Sequence, residues 1–136
     1  MQPGLTEGST ATVSTRVTRA MTARLGGQEI HPLLATAQMI EWMEWAGRTL
    51  ILPYLDHDED AIGYAVDVVH VAPTLVGETF GATATFRAWE GTRLIADVVA
   101  FNQRGIIGRG VFTQVVVSKE TLASRIQKLL ENRPPD

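Results

Sequence analysis

The chain has 136 residues, of which 45% are hydrophobic, and this size suits a single domain spanning residues 1–136. Its formal net charge of -3 excludes the strongly basic surface that nucleic-acid binding needs. The absence of cysteine excludes disulfides, a thiol nucleophile and a cysteine-ligated zinc site. The first ten residues contain no apolar run, so we expect no signal peptide and a cytoplasmic protein.

The first half of the chain is predicted to contain one strand and one long helix. Residues 1–10 are polar and predict a loose tail. Residues 12–18 alternate between apolar and polar side chains, which predicts a strand. Residues 19–30 are predicted to form a connecting loop, with at most a helical turn. Residues 31–54 are mostly apolar and predict one long helix.

The helix predicted at 31–54 is the element around which we expect the sheet to fold. Its apolar side chains recur at helical spacing and form one wide stripe, made up of Met39, Ile40, Met43, Ala46, Gly47, Leu50 and Ile51. Glu41, Glu44 and Arg48 interrupt the apolar run well before the ~18 residues that a membrane span needs. A helix enclosed by a sheet is therefore the better interpretation, and we expect no membrane partner.

The second half of the chain is predicted to form four strands and a short helix. The strands are predicted at 62–72, 79–89, 93–103 and 106–117. The first of them is apolar at both parities, which is typical of a central strand that is covered on both faces. Residues 118–131 predict a helix, and 132–136 predict a frayed tail. The whole pattern predicts an α+β fold with an antiparallel sheet wrapped around one long central helix.

Two short motifs raise the question of metal or nucleotide binding, and each has a simpler explanation. The sequence DHDED at 56–60 has the alternating acids of a calcium loop, but Ala61 and Asp67 occupy positions that require glycine and glutamate. The sequence GIIGRG at 105–110 does not match GxGxxG and opens a strand rather than a helix. Since the three histidines are also scattered, we expect no metal site.

Thr36, Glu44 and His70 are the candidate catalytic residues. Thr36 and Glu44 would lie ~12 Å apart along the helix axis, and an imidazole at His70 could fill the gap between them. That order of hydroxyl, imidazole and carboxylate is used in nucleophilic and general-base catalysis. Structural alternatives remain open: Thr36 could be a helix N-cap, Glu44 a solvated boundary residue and His70 a core histidine.

The segments ATAQMIEWMEWAGRTLILPYL and IGYAVDVVHVAPTLVGE resemble the fluoroacetyl-CoA thioesterase-like family of hotdog-fold enzymes. The resemblance covers roughly residues 8–118. It implies that Thr36, Glu44 and His70 are the catalytic threonine, glutamate and histidine of the family. It also implies hydrolysis of an acyl-CoA thioester to a free acid and CoA, with no metal or redox cofactor.

The resemblance further implies an assembly and a substrate-binding set. It implies a hotdog homodimer with a continuous sheet, active sites near the dimer interface, and dimers that could pair into a tetramer. Gly63 matches a glycine that lies beside the bound acyl group, and Gly108 and Gly110 match a later G-x-G. We therefore predict Gly63, Gly108 and Gly110 as substrate-binding residues.

Two departures from the family pattern bear on the acyl group. Residues 20–33 contain no Phe, Tyr or Trp, where fluoroacetyl-specific members carry a phenylalanine-bearing lid, and Gln114 stands where those members carry an arginine. We therefore expect a different short or medium acyl group. One alternative is a hotdog enoyl-CoA hydratase or dehydratase, which Asp67 and His70 on one strand fit poorly. Another is a non-catalytic acyl-CoA binding module.

Overall fold

Seven strands and two α-helices form the computed structural model of the chain, which describes residues 1–135. The strands are β1 (Thr10–Arg16), β2 (Thr22–Leu25), β3 (Gln28–Leu34), β4 (Glu59–His70), β5 (Thr79–Glu90), β6 (Arg93–Asn102) and β7 (Gly105–Ser118). The helices are α1 (Thr36–Ile51) and α2 (Lys119–Glu131), with short 3₁₀ turns at Arg19–Met21 and Leu52–Tyr54. None of the described helices is long and apolar enough to cross a membrane.

One antiparallel five-stranded sheet, in the order β1-β5-β6-β7-β4, packs against α1. Alternate residues of the central strands face the helix because side chains along a strand alternate between the two faces. The buried core comprises Met39, Met43, Ala46, Leu50 and Ile51 of α1 and Phe80, Ala82, Ala84, Leu94, Ala96, Val98 and Ala100 of the sheet. The predicted α+β fold, with the sheet around a central helix, is confirmed.

The region before the helix differs from the prediction. Residues 31–34, predicted as helix, belong to β3, and residues 19–30, predicted as a loop, contain most of a β2–β3 hairpin. Gly26 and Gly27 form its turn with φ of 60° and 79°, a conformation that favours glycine. Pro32 lies in β3, where a proline is tolerated because the strand belongs to a small two-stranded sheet.

Strand β4 lies at an edge of the sheet and pairs only with β7, so the prediction of a central strand is wrong for one protomer. Several of its large apolar side chains are exposed, namely Ile62, Tyr64, Val66 and Val69. A long apolar edge with unpaired backbone groups is a template for another strand. The apolar pattern at both parities therefore belongs to an edge strand whose outer side is uncovered within the protomer.

The N-terminal segment, predicted to be loose, contacts the residues that connect α1 to β4 and the start of β4. The amino group of Met1 forms ion pairs with Asp56 and Glu59, and the backbone N–H of Gln2 donates to the Tyr54 carbonyl at 2.6 Å. The predicted C-terminal helix is present as α2. Of the tail predicted at 132–136, the last residue lies outside the described part of the chain.

Gly110 lies on β7 beside β4, in register with Val68. A Cβ atom there would overlap the carbonyl oxygen of Asp67 and the backbone of Val68, which cannot move without breaking the sheet. We expect Gly110→Ala to lower the free energy of unfolding by about 3 kcal/mol, measured by urea denaturation. Gly63→Ala is the control, because its Cβ would meet Phe112 at an ordinary 3.8 Å. Equal stability of the two variants would contradict this account.

Candidate functional site

Thr36 and His70 meet at the start of the central helix. Thr36 is the first residue of α1 and His70 is the last residue of β4, and Thr36 Oγ1 lies 2.8 Å from His70 Nδ1. The residue that precedes the helix as its N-cap is Ala35, and no side chain caps the helix. The N-cap interpretation of Thr36 is therefore wrong, and its hydroxyl is bonded to the imidazole instead.

The His70 ring presents one nitrogen to Thr36 and leaves the other without a partner. Burial lowers the pKa of His70, and a backbone contact with Ala72 opposes that shift only in part. The imidazole is thus neutral at neutral pH, and Nδ1 accepts the Thr36 hydroxyl in the tautomer that carries its proton on Nε2. Nε2 is buried and makes no hydrogen bond within the described residues. A buried polar atom without a hydrogen-bond partner is costly.

The Thr36–His70 pair opens into a cavity of about 320 Å³ beneath the β2–β3 hairpin. The hairpin supplies Leu33, Leu34 and His31 to the walls, so a second histidine borders the same cavity as His70. The sequence did not reveal this position of His31, because residues 31–34 were assigned to the helix. Only the pairing of β3 with β2 turns that side chain towards the cavity.

Glu44 is exposed and borders a different, larger cavity of about 560 Å³. Gly63, predicted to lie beside the acyl group, borders the same cavity. No hydrogen bond joins Glu44 to Thr36 or His70 in the described protomer. The helix explains this separation, since Glu44 lies two turns beyond Thr36 and the imidazole stays at the first turn. The structure therefore brings together Thr36 and His70, two of the three predicted catalytic residues. Glu44, the third, borders the other cavity together with Gly63.

The other two predicted substrate-binding glycines have packing roles in the protomer. Gly108 pairs with His70 across β4 and β7, and a Cβ there would lie 2.5 Å from the sulfur of Met39 on α1. Gly110 permits the close passage of β7 beside β4 described above. Neither glycine borders the cavity at Thr36 or the cavity at Glu44.

Gln114 is a buried polar residue in the larger cavity. It is 2% exposed, it pairs in register with Gly63, and its Nε2 donates to the Gly47 carbonyl at 3.0 Å. Sequence reasoning singled it out only as a departure from a family pattern. Its burial and its anchor on α1 depend on how β7 packs against the helix, and no local pattern in the chain encodes them.

Comparisons with known proteins agree with this architecture. The chain matches the family described as fluoroacetyl-CoA-specific thioesterase over residues 17–120. The fluoroacetyl-CoA thioesterase of Streptantibioticus cattleyicolor is 34% identical over 100 residues, which are 74% of this chain and 72% of that protein.

Solved structures extend the likeness to almost the whole chain. The thioesterase superfamily member TTHA0967 of Thermus thermophilus has a TM-score of 0.92 and 38% identity, over 96% of both chains. A substituted form of the fluoroacetyl-CoA thioesterase FlK in complex with acetyl-CoA has a TM-score of 0.83 and 29% identity, over 90% of this chain and 97% of that one. This chain has the hotdog fold and belongs to the fluoroacetyl-CoA thioesterase family.

Proposed function

We propose that this protein hydrolyses acyl-CoA thioesters to a free acid and CoA, with Thr36 and His70 at the reaction centre. The observation that carries the proposal is the 2.8 Å contact between Thr36 Oγ1 and His70 Nδ1 beside a cavity. A neutral imidazole so placed can take a proton from the hydroxyl or from a water beside it. Membership of a thioesterase family, with one relative solved in complex with acetyl-CoA, supports the substrate class.

The proposed reaction needs only side chains, backbone groups and water. Thr36 Oγ1, or a water that it positions, attacks the thioester carbonyl while His70 takes the proton. The C–S bond then breaks and the same proton passes to the CoA sulfur. If Thr36 itself attacks, water cleaves the resulting ester by the same proton transfers. Backbone N–H groups at the start of α1 or near Gly63 can stabilise the oxyanion.

We also propose that the active form is a homodimer in which β4 pairs with its copy. The support is the exposed apolar edge of β4, which is the longer and more apolar of the two sheet edges. A two-fold axis perpendicular to the sheet makes the two strands antiparallel. The His70 end of one β4 then lies opposite the Gly63 end of the other.

In such a dimer, each reaction centre combines residues of two protomers. Glu44 borders the same cavity as Gly63, so Glu44 of the partner subunit would approach His70. Its carboxylate would accept the hydrogen bond from Nε2–H, which has no acceptor within the described protomer. Thr36, His70 and the partner subunit's Glu44 would thus form the catalytic set. Pairing of dimers into tetramers and a cytoplasmic location stay predictions.

The positions of Asp67 and His70 do not favour the hydratase alternative. Asp67 and His70 are three residues apart on β4 and face opposite sides of the sheet. Asp67 borders a groove with Arg109 on the outer face, whereas His70 faces α1. The two side chains therefore cannot act together on one substrate within the protomer.

The test of the proposed function is release of free thiol from a panel of straight and substituted acyl-CoAs of short and medium length. We expect thiol release at catalytic rates for at least one of them, because the imidazole and hydroxyl are already in contact. Tight binding without thiol release across the panel would favour a binding module. Loss of enoyl absorbance without thiol release would favour a hydratase.

A further inference from the structure

The larger cavity is bordered by a buried amide side chain, Gln114, that the proposed reaction does not use. Gln114 is 2% exposed, and its Nε2 is held by the Gly47 carbonyl at 3.0 Å. Its Oε1 has no hydrogen-bond partner among the described residues. The only fully buried side-chain polar atom without a partner in that part of the chain is His70 Nε2. Gln114 Oε1 must therefore open to the cavity that this residue borders.

The orientation of this amide is built into the packing of α1 against β7. Glycine at position 47, in the middle of a helix, costs about 1 kcal/mol relative to alanine. A Cβ there would lie 2.5 Å from Phe112 and 3.3 Å from Gln114 Nε2, so only glycine lets the strand come this close. The anchored nitrogen turns Oε1 away from the helix backbone and into the cavity.

The walls of the cavity show what kind of group could occupy it. Trp42, Trp45, Phe112 and Ala61 present mainly apolar surface, and the volume of about 560 Å³ far exceeds that of an acetyl group. The charged residues at its border are Glu41, Glu44 and Arg48, and Arg48 is already paired with Asp60 and with the Ala61 carbonyl. The two exposed carboxylates disfavour an anionic acyl group. The cavity therefore suits a neutral, mostly apolar group.

We propose that this cavity takes an acyl group that is apolar along its length and carries one hydroxyl, and that Gln114 Oε1 accepts the hydrogen bond from that hydroxyl. The proposal rests on the proposed thioesterase function, because Gly63, predicted to lie beside the acyl group, pairs directly with Gln114. The substrate class is thus a hydroxyacyl-CoA, aromatic or medium-chain aliphatic. Gln114 is its specificity-determining residue.

Matched substrate pairs test the proposal. We would compare kcat/KM for 4-hydroxyphenylacetyl-CoA with phenylacetyl-CoA and for hydroxyhexanoyl-CoA with hexanoyl-CoA. In at least one pair, kcat/KM of the wild-type protein should be about tenfold or more higher for the hydroxyl compound. The analogue without the hydroxyl would leave the Gln114 acceptor without a hydrogen bond. A methoxy analogue, which cannot donate, should be no better than the unsubstituted ester.

Gln114→Met keeps the side-chain length and removes the hydrogen-bonding groups, so it should bring the ratio of kcat/KM for the hydroxyl ester over the unsubstituted ester down to about one. Gln103→Met is the matched control, because Gln103 is exposed in the β6–β7 turn and should leave the preference unchanged. If Gln114→Met does not fold, the wild-type protein still tests the proposal. Its kcat/KM should be higher for the hydroxyl ester than for the methoxy ester, which cannot donate a hydrogen bond.

Several results would overturn the proposal. A wild-type preference for the unsubstituted or methoxy esters in both pairs would do so, as would a hydroxyl preference that survives in folded Gln114→Met. In those cases, thiol release from the other esters would leave the thioesterase function intact. No thiol release from any ester would instead count against the proposed function itself.

Discussion

Replacing His70 with alanine is expected to lower kcat for thioester hydrolysis by at least about a hundredfold, the size of effect that loss of a general base produces. The imidazole is the group that contacts the Thr36 hydroxyl, at 2.8 Å, and no other described side chain hydrogen-bonds to that hydroxyl. His70 is half-buried at the end of an edge strand, so its truncation should leave the core intact. Thiol release and thermal unfolding would be measured on the same preparations.

The control for this variant is His57→Ala, since His57 is exposed in the acidic turn before β4. That substitution should leave kcat unchanged. A folded His70→Ala protein with wild-type turnover would remove His70 from the mechanism.

The pH dependence of hydrolysis by the wild-type protein is a second test of the role of His70. His70 must be neutral to accept a proton, and burial lowers its pKa below the ordinary value of 6.5. In the proposed dimer, the carboxylate of the partner subunit's Glu44 would oppose that lowering of the pKa. The rate should therefore fall as the pH drops through the pKa of His70 and should be level above it. A rate that does not fall on the acid side would exclude His70 as the general base.

Mixing two inactive variants should restore activity if each site combines two protomers. Glu44→Gln and His70→Ala, refolded together, would form mixed dimers in which one of the two sites has Thr36, His70 and the partner subunit's Glu44 intact. Random pairing makes half of the dimers mixed, so about a quarter of the wild-type activity should return. The measurement is thiol release against the mixing ratio.

The matched control is a mixture of Thr36→Ala and His70→Ala. Those two residues belong to one protomer in our proposal, so no mixed dimer has an intact site and no activity should return. Failure of the first mixture to recover, or recovery in the second, would contradict the assignment of Glu44 to the partner. Full activity of Glu44→Gln alone would remove Glu44 from the catalytic set.

Local patterns predicted most of the regular elements. The apolar stripe from Met39 to Ile51 predicted α1, because a helix packed on a sheet must place its apolar residues on one side. Alternation and turn residues predicted β5, β6 and β7 to within a few residues of their ends. Those signals lie within short windows of the chain.

The β2–β3 hairpin was missed because its strands are short and pair only with each other, so little apolar alternation marks them. Pro32 is compatible with a helix start or with such a strand, and composition does not choose between them. The misassignment hid His31, which lies on the cavity beside His70.

The sequence by itself determined the fold class, the central helix and, through its family resemblance, the identities of Thr36, Glu44 and His70. Only the tertiary structure decided that Thr36 and His70 touch, that Glu44 lies in another cavity with Gly63, and that Gln114 directs an unpartnered oxygen there. The physical reason is that helix and strand patterns arise from neighbouring residues. Contacts between residues 34 positions apart, and the exposed edge of β4, depend instead on how the finished sheet packs around α1.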